Sequence, residues 1–173
     1  MRISKVKKIT LAALLAAFAV VCSPLSFPVG ASRCCPVQHF VNIISSIFLG
    51  PVYSVSIAFC TSLLRNLMGT GTLLAFPGSM CGALLSGLLY KYRGKLIPAY
   101  IGELIGTSVF GGLAAYLMAA FIMSKEAAVF GFVIPFFVSS AGGTVIAALV
   151  TASMKKTGLL YRLMGTIDRT NHD

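Results

Sequence analysis

The segment LLRNLMGTGTLLAFPGSMCG, residues 63–82, interrupts an otherwise apolar chain with an arginine, an asparagine, two Gly-Thr pairs and a Pro-Gly pair. Hydrocarbon tolerates irregular polar backbone only where that backbone lines a cavity in the protein or returns to the water surface. The segment is therefore either a surface loop or the rim of a site that holds a solute. The polar residues of the neighbouring segments favour the rim.

The composition of the 173 residues indicates an integral membrane protein. Hydrophobic residues make up 57% of the chain and charged residues 10%, whereas a soluble globular domain usually carries about 25% charged residues. So few charges could not cover the surface of a soluble domain. We expect one compact membrane domain over residues 1–173. Its first apolar run is a membrane helix rather than a signal peptide, because no small-residue cleavage site follows it.

Six apolar segments are expected to form membrane helices. Pro-rich or Gly-rich stretches separate several of them, and such stretches interrupt regular helices. Because a span takes roughly 20 residues, the first, second and fourth segments are short. Either flanking turns and snorkelling lysines complete these spans, or the helices stop within the membrane and leave a cavity capped by loops. The polar residues at the breaks favour the cavity. The predicted helices are 9–22, 37–49, 52–68, 77–90, 96–123 and 127–154, with loops at 23–36, 69–76 and 124–126 and a tail at 157–173.

The positive charges predict the orientation. Four Lys and Arg residues precede the first apolar run, three lie in the loop 91–95, four follow the last run, and three lie elsewhere, at Arg33, Arg65 and Lys125. By the positive-inside rule both termini are cytoplasmic, and the loops 23–36, 69–76 and 124–126 form a lid on the outer face. A net charge of +10 is also a cue for nucleic-acid binding, but this distribution argues against it.

Small residues recur at four-residue spacing in several segments, as in membrane helices that pack closely. The rows in the later segments, such as Gly102 with Gly106, are best explained by packing inside the bundle. The first segment differs, because its alanines lie beside leucines and a phenylalanine only. This face serves either docking of another protein or internal packing, and its alanines form two overlapping rows: Ala13 with Ala17, and Ala12 with Ala16.

Polar residues in the second segment are the first candidates for a binding site. Gln38, Asn42 and Ser45 or Ser46 recur at helical spacing and share one face, with His39 about a quarter-turn away. Glutamine and asparagine both donate and accept hydrogen bonds, which suits a neutral heteroaromatic ligand that carries a hydroxyl. The alternative is hydrogen bonding between helices that only holds the bundle together.

Two charged residues in apolar segments have open roles. Glu103 is the acidic residue well inside a predicted span, where it serves either proton coupling or a structural hydrogen bond to a neighbouring helix. By the predicted topology it lies about two turns from the cytoplasmic end, on the wrong side for an outward-facing pocket. Arg65 is either a snorkelling anchor or a hydrogen-bond donor in the pocket.

The sequence gives little support for a metal site or an enzyme. Cys34, Cys35 and His39 are close in sequence, but no second cluster completes four metal ligands. There is no Walker motif, no H-E-x-x-H, no G-x-S-x-G and no pair of membrane aspartates. We therefore expect no metal, no cofactor and no catalytic activity, and any ATP-driven work must be done by a partner.

Two stretches closely resemble the ThiW family: VGASRCCPVQHFVNIISSIFLGP at 29–51 and LLRNLMGTGTLLAFPGSMCGALLSGLLY at 63–90. The resemblance continues more loosely through GELIGT at 102–107 and VIPFFVSSAGG at 133–143. These proteins are substrate-binding S components of energy-coupling factor (ECF) vitamin transporters, assigned to the thiazole precursor of thiamine. The tail after Thr157 resembles no known pattern.

The resemblance implies an all-α membrane protein of the six-helix S-component fold in a prokaryotic plasma membrane. It implies capture of 4-methyl-5-(2-hydroxyethyl)thiazole from outside, under the loop after the first helix. It also implies a small-residue motif on the first helix that docks a membrane coupling subunit joined to two ATPases. By position Ala13 and Ala17 match that motif best, with Ala12 and Ala16 as the alternative.

Within that framework the residues suggest a pocket. Gln38, His39 and Asn42 are expected to bond the hydroxyl and ring nitrogen of the ligand, and Arg65 is a further candidate donor. We expect Asn66, Thr70 and Thr72 to close the rim, with stacking from Phe76, Phe40 or Phe27. The main rival hypothesis is a stand-alone secondary transporter or channel with Glu103 in proton coupling. Internal repeats would favour that hypothesis, and we find no convincing repeat.

Overall fold

A computed structural model of the chain describes residues 5–29, 32–124 and 128–168, with side chains as far as Leu163 in the last helix. The described residues form a helical bundle with a short antiparallel hairpin, β1 (Phe27–Val29) and β2 (Ser32–Cys34), in which Phe27 pairs with Cys34. The helices are α1 (Lys5–Val21), α2 (Pro36–Leu49), α3 (Pro51–Leu67), α4 (Ala75–Arg93), α5 (Leu96–Ile122), α6 (Val133–Lys156) and α7 (Leu159–Asp168).

Helix α2 lies at the centre of the described bundle. It contacts α1, α3, α4, α5 and α6, and ten of its 14 residues are buried. Pro36 occupies the first turn, where its fixed φ suits a helix start. Gly50 ends the helix with a φ of +84°, a conformation that glycine adopts without strain, and Pro51 starts α3 immediately. The Gly-Pro pair thus folds α3 back alongside α2 without a loop.

Helices α5 and α6 are the two described helices that are long and apolar enough to cross a membrane, and α2 is a shorter apolar helix. Many large apolar side chains are exposed on the bundle, among them Phe110, Phe121 and Ile134. Soluble proteins rarely expose apolar surface on this scale, so these side chains face lipid. Helix α5 also contains two wide π-helical stretches, at Gly106–Gly111 and Met118–Ile122.

Glycines set the close packing of α4 against α5. A Cβ atom built on Gly102 would lie 2.8 Å from Cα of Ser86, and one built on Gly106 would lie 2.9 Å from Cα of Gly82. Real Cβ atoms do not approach other atoms this closely, so larger residues would force the two helices apart. The small-residue row in α5 therefore serves packing inside the bundle, as the spacing indicates.

The two alanine rows of α1 have different surroundings. Ala16 is buried and Ala12 is partly buried, and both pack in an apolar cluster with Val41 of α2. Ala13 and Ala17 are exposed on a neighbouring face, about 100° around α1. The sequence left open which row packs inside the bundle, and the structure assigns that role to Ala12 and Ala16. The row of Ala13 and Ala17 is available to a partner.

Several helix ends differ from the expectation. The predicted tail contains α7 (Leu159–Asp168), which was not predicted from the sequence. Helix α6 starts at Val133 rather than near 127, because Phe130 and Gly131 form tight turns, with the Gly131 N–H donating to the Ala128 carbonyl at 2.8 Å. Residues 125–127, which include most of the predicted loop 124–126, lie outside the described part of the chain.

Candidate functional site

The interior between α2, α3, α4 and α5 is polar, where a membrane bundle is expected to be packed with apolar side chains. Fourteen of the buried polar side chains come from these four helices. Buried polar groups need partners, and most of these side chains are joined in a hydrogen-bond network that holds the region together. Its members are Gln38, His39, Asn42, Ser45, Ser46, Ser54, Ser62, Arg65, Ser79, Glu103 and Thr107.

Glu103 is at the centre of one half of this network. Its side chain is fully buried, and its Oε1 atom lies 2.8 Å from Nδ1 of His39. The same oxygen accepts hydrogen bonds from Nδ2 of Asn42 at 2.9 Å and from the Thr107 hydroxyl at 3.3 Å. The Asn42 amide also donates to the Ser79 carbonyl at 3.1 Å. One carboxylate oxygen thereby joins α2 to α5, and Asn42 joins both to α4.

Glu103 lies outside the cleft lining, but it contacts a residue that lines the cleft. It forms the structural hydrogen bond to a neighbouring helix that was one of its two open roles, and its partner is His39, a residue of the candidate site. The physical reason is the packing of α2 against α5, which brings the first turn of α2 beside Glu103.

A cleft opens above this network at the end of the bundle that carries the hairpin. It has about 320 Å³ of empty space, its mouth included. Hydroxyls, a thiol, two guanidinium groups and an aromatic ring form its walls. The lining residues are Ser32, Arg33, Cys35, Gln38, His39, Arg65, Ala75, Gly78, Ser79, Thr107, Phe136 and Ser139.

Arg65 and Gln38 form the second half of the network. The Arg65 guanidinium donates through Nη1 to the side-chain oxygen of Gln38 and through Nη2 to the Thr70 carbonyl at 3.4 Å. The Gln38 amide nitrogen donates to the Ser62 hydroxyl at 2.9 Å. Arg65 is 2% exposed, and among the described side chains it has neutral partners only. Arg65 is therefore a buried hydrogen-bond donor in the cleft wall rather than a surface anchor.

The hairpin is fixed to α6 at the mouth of the cleft. The Cys34 thiol donates to the Pro135 carbonyl at 3.1 Å, and the Cys35 N–H donates to the Ser139 hydroxyl at 2.8 Å. Burial raises the pKa of the Cys34 thiol, so the sulfur keeps its proton at neutral pH and acts as a donor. Within the described ranges no three His, Cys, Asp or Glu side chains lie close enough to hold a metal ion.

The structure brings three of the eight predicted ligand residues to the cleft wall: Gln38, His39 and Arg65. Asn42 lies behind the wall, where it holds Glu103. The sequence missed Phe136 and Ser139, which α6 contributes from about 100 residues further along the chain. Ser139 belongs to a small-residue row, so its spacing alone indicated packing.

The other four predicted residues lie outside the cleft lining, in or beside the rim segment. The Asn66 amide donates to the carbonyls of Ser62 at 2.8 Å and Thr72 at 3.0 Å, so it ties the segment after α3 to that helix. The Thr70 hydroxyl lies 3.0 Å from that of Ser23, and the Phe76 ring packs 5.5 Å from that of Phe59. These contacts shape the segment that borders the cleft. Direct ligand contact by these residues was expected from the sequence, and the Asn66→Ala variant tests it.

Comparisons with known proteins agree with this architecture. Residues 9–157 match the model of the ThiW family, described as thiamine-precursor transporter protein. The fold is similar to a solved structure reported as "Structure and mechanism of the S component of a bacterial ECF transporter", with a TM-score of 0.74 and 16% identity over 89% of this chain and 98% of that chain. At this identity the likeness shows the fold alone. A comparison with curated proteins found no match.

Proposed function

We propose that this chain, which belongs to the ThiW family of thiamine-precursor transporter proteins, is the substrate-binding S component of an ECF-type importer. Its fold is that of an ECF S component, and its exposed apolar side chains fit a location in the membrane. The proposed substrate is 4-methyl-5-(2-hydroxyethyl)thiazole. The observation that carries the proposal is a small polar cleft whose lining includes Gln38, His39 and Arg65.

The chemistry of His39 supports this ligand. Its Nδ1 atom faces the Glu103 carboxylate at 2.8 Å, and a carboxylate oxygen is an acceptor, so Nδ1 carries a proton. Nε2 is then the ring atom left for the cleft, where in the neutral imidazole it accepts a hydrogen bond. A ligand hydroxyl is the matching donor. In this proposal Glu103 fixes the ring and His39 receives the hydroxyethyl group.

Arg65 suits the other polar atom of the thiazole. Guanidinium carries five N–H donors and no acceptor, and the Arg65 side chain lines the cleft. The thiazole nitrogen is an acceptor, so it matches a donor in the cleft wall. Phe136, which also lines the cleft, offers an aromatic face for the ring.

The position of the cleft supports capture from outside. Ser79 near the start of α4 lines the cleft, whereas the basic loop 91–95 lies at the other end of that helix. If the basic loop is cytoplasmic, as the positive-inside rule predicts, the cleft opens toward the outer face beneath the hairpin. Both termini are then cytoplasmic, and six membrane helices, α1 to α6, complete the proposed topology.

Delivery requires partners, since the sequence has no nucleotide-binding motif. We place the docking site for a membrane coupling subunit, joined to two ATPases, on the exposed row of Ala13 and Ala17. Small residues let the backbones of two membrane helices approach closely. The other row, Ala12 and Ala16, is already used by the packing of α1 on α2 and α3.

A stand-alone secondary transporter is the second candidate, and one observation favours it. Oε2 of Glu103 is buried without a hydrogen-bond partner among the described residues. A buried carboxylate beside an imidazole can exchange a proton during transport. Proteoliposomes that contain this protein alone separate the two functions. A proton-coupled carrier accumulates thiazole in them when a pH gradient is applied, whereas an S component does not.

Calorimetry on the detergent-purified protein tests the binding function. The ligands are 4-methyl-5-(2-hydroxyethyl)thiazole, the hydroxymethylpyrimidine precursor of thiamine, and thiamine itself. We expect saturable one-to-one binding of the thiazole and weaker binding of the other two. If the pyrimidine bound most tightly, the pyrimidine would become the proposed substrate and the proposed S-component function would stand. Absence of binding by all three, in protein that unfolds cooperatively, would refute the proposal.

A further inference from the structure

A second cavity lies at the opposite end of the bundle from the cleft. It has about 1020 Å³ of empty space, its open side included. Tyr90 of α4 lines it, and that residue is eleven positions or roughly 16 Å along the helix from Ser79 of the cleft. We call this second cavity the basal groove. Its lining residues are Tyr90, Gly94, Lys95, Leu96, Ile97, Tyr100, Ala148, Thr151, Ala152, Lys155, Leu160 and Tyr161.

The short helix α7 forms one wall of the basal groove and is firmly held. Leu160 is 2% exposed and belongs to the apolar cluster that includes Ile43 and Ala147. The next residue, Tyr161, is 61% exposed. Leu160 therefore anchors α7 across the end of the bundle, and Tyr161 lines the groove. The groove is thus a built feature of the fold rather than a gap beside a loose tail.

The basal groove has a polar rim and apolar walls. Lys95 and Lys155 bring two positive charges, and among the side chains that the structure describes the lining has no acidic residue. The Tyr100 hydroxyl is hydrogen-bonded to the Thr151 hydroxyl inside the groove. Leu96, Ile97 and Ala152 supply apolar surface, and Ile97 is 68% exposed. A complementary occupant therefore carries a negative charge at one end and an apolar chain at the other.

The depth of the groove relative to the membrane also limits its occupant. Lysine and tyrosine side chains that cluster at the end of membrane helices lie at the level of the lipid headgroups. Basic pockets between such helices bind anionic headgroups on the cytoplasmic side. We propose that the basal groove is a binding site for one anionic phospholipid, with the phosphate between Lys95 and Lys155 and an acyl chain along the apolar wall. This site is separate from the thiazole cleft; it rests on the membrane orientation proposed above and not on the identity of the transported substrate.

Native mass spectrometry of the full chain tests the proposal. The delipidated protein is titrated with phosphatidylglycerol or phosphatidylcholine, and the affinity for each lipid is measured. Each lysine near a headgroup contributes about 1 kcal/mol or roughly a fivefold change in affinity. We therefore expect Lys95→Gln with Lys155→Gln to lower phosphatidylglycerol affinity by roughly 25-fold. Phosphatidylcholine, which has no net charge, should bind more weakly and change little in that variant.

Lys91→Gln with Lys156→Gln is the matched control. These lysines are exposed and do not line the groove. Lys91 lies in the last turn of α4, close in sequence to Lys95, and Lys156 follows Lys155 at the end of α6. The control removes the same charge, so it should stay within about twofold of the unmodified protein. Equal losses in both variants would show diffuse surface attraction and overturn the site, as would no loss in the groove variant.

Two further results would also overturn the lipid assignment. Release of the lipid by millimolar inorganic phosphate would show a site for free phosphate. The groove variant could also keep its lipid affinity but fail to co-purify with a coupling subunit. That result would show that the groove is a protein-docking surface. Because both lysines are exposed, the groove variant is expected to fold, and its thermal unfolding and thiazole binding verify this.

Discussion

Nδ1 of His39 lies 2.8 Å from Oε1 of Glu103, and this pair connects α2 to α5 beneath the candidate ligand cleft. The two residues are 64 positions apart in the chain. The carboxylate also accepts hydrogen bonds from Asn42 and Thr107. Loss of this one group therefore affects both the stability of the bundle and the orientation of a residue that lines the cleft.

The first prediction concerns Glu103. Glu103→Ala leaves His39 and Asn42 without their buried acceptor, so we expect a loss of roughly 3–5 kcal/mol in stability. Glu103→Gln keeps one acceptor oxygen and most of the volume, so its stability loss should be less than half as large. Thermal and denaturant unfolding in detergent measure both variants. Equal losses would show that the hydrogen bonds to Oε1 contribute little to the fold.

The second prediction separates the wall of the cleft from its rim. Gln38→Ala removes the acceptor of Arg65 and a lining side chain, so thiazole affinity should fall by about 1–3 kcal/mol. Asn66→Ala removes the same kind of group, but its amide contacts backbone carbonyls outside the lining. Calorimetry should show less than 1 kcal/mol of change for Asn66→Ala. A larger effect at Asn66 than at Gln38 would place the ligand in the rim.

The third prediction tests the packing of α6 on α2. A Cβ atom on Gly143 would lie 2.5 Å from Cβ of His39, so Gly143→Ala should force the helices apart and displace the His39 ring. Overpacking of this kind destabilises by about 1–3 kcal/mol, and thiazole binding should weaken with it. Gly142→Ala is the control, because its Cβ would meet only the Pro36 ring, at 3.2 Å. Similar unfolding temperatures for the two variants would contradict the structure.

The fourth prediction compares the two alanine rows of α1. Ala13→Trp places a ring on the exposed face, so the protein should fold and bind thiazole while uptake in cells and co-purification with the ATPases fail. Ala16→Trp places the same ring in the buried cluster with Val41, so it should lower stability by about 1–3 kcal/mol or more. Normal uptake by Ala13→Trp would exclude this face as the docking site.

The fifth prediction tests the orientation. Tyr92→Cys introduces a thiol at an exposed position in the basic loop, and Phe130→Cys introduces one at an exposed position before α6. In intact cells a membrane-impermeant maleimide should label the second variant and not the first, above the background of the native cysteines. Labelling of Tyr92→Cys alone would reverse the topology, and the cleft would then face the cytoplasm.

The sequence alone determined the class of the protein, its family and the approximate positions of most of its helices. Apolar composition excludes a soluble domain, and Gly50-Pro51 marks the end of α2 because both residues interrupt helices. The shared face of Gln38 and Asn42 follows from the helical period. Each of these conclusions rests on local spacing or on a contiguous motif, which a linear sequence contains in full.

Only the tertiary structure decided which faces meet. The contact of Glu103 with His39 was not foreseen because the position of Glu103 was counted along one helix, whereas its environment is set by α2 packed against it. Phe136 and Ser139 join the cleft from a helix far along the chain, and the two alanine rows of α1 differ only in what packs against them. Helical periodicity fixes which side chains share a face, but the partner of that face depends on the packing of the whole bundle.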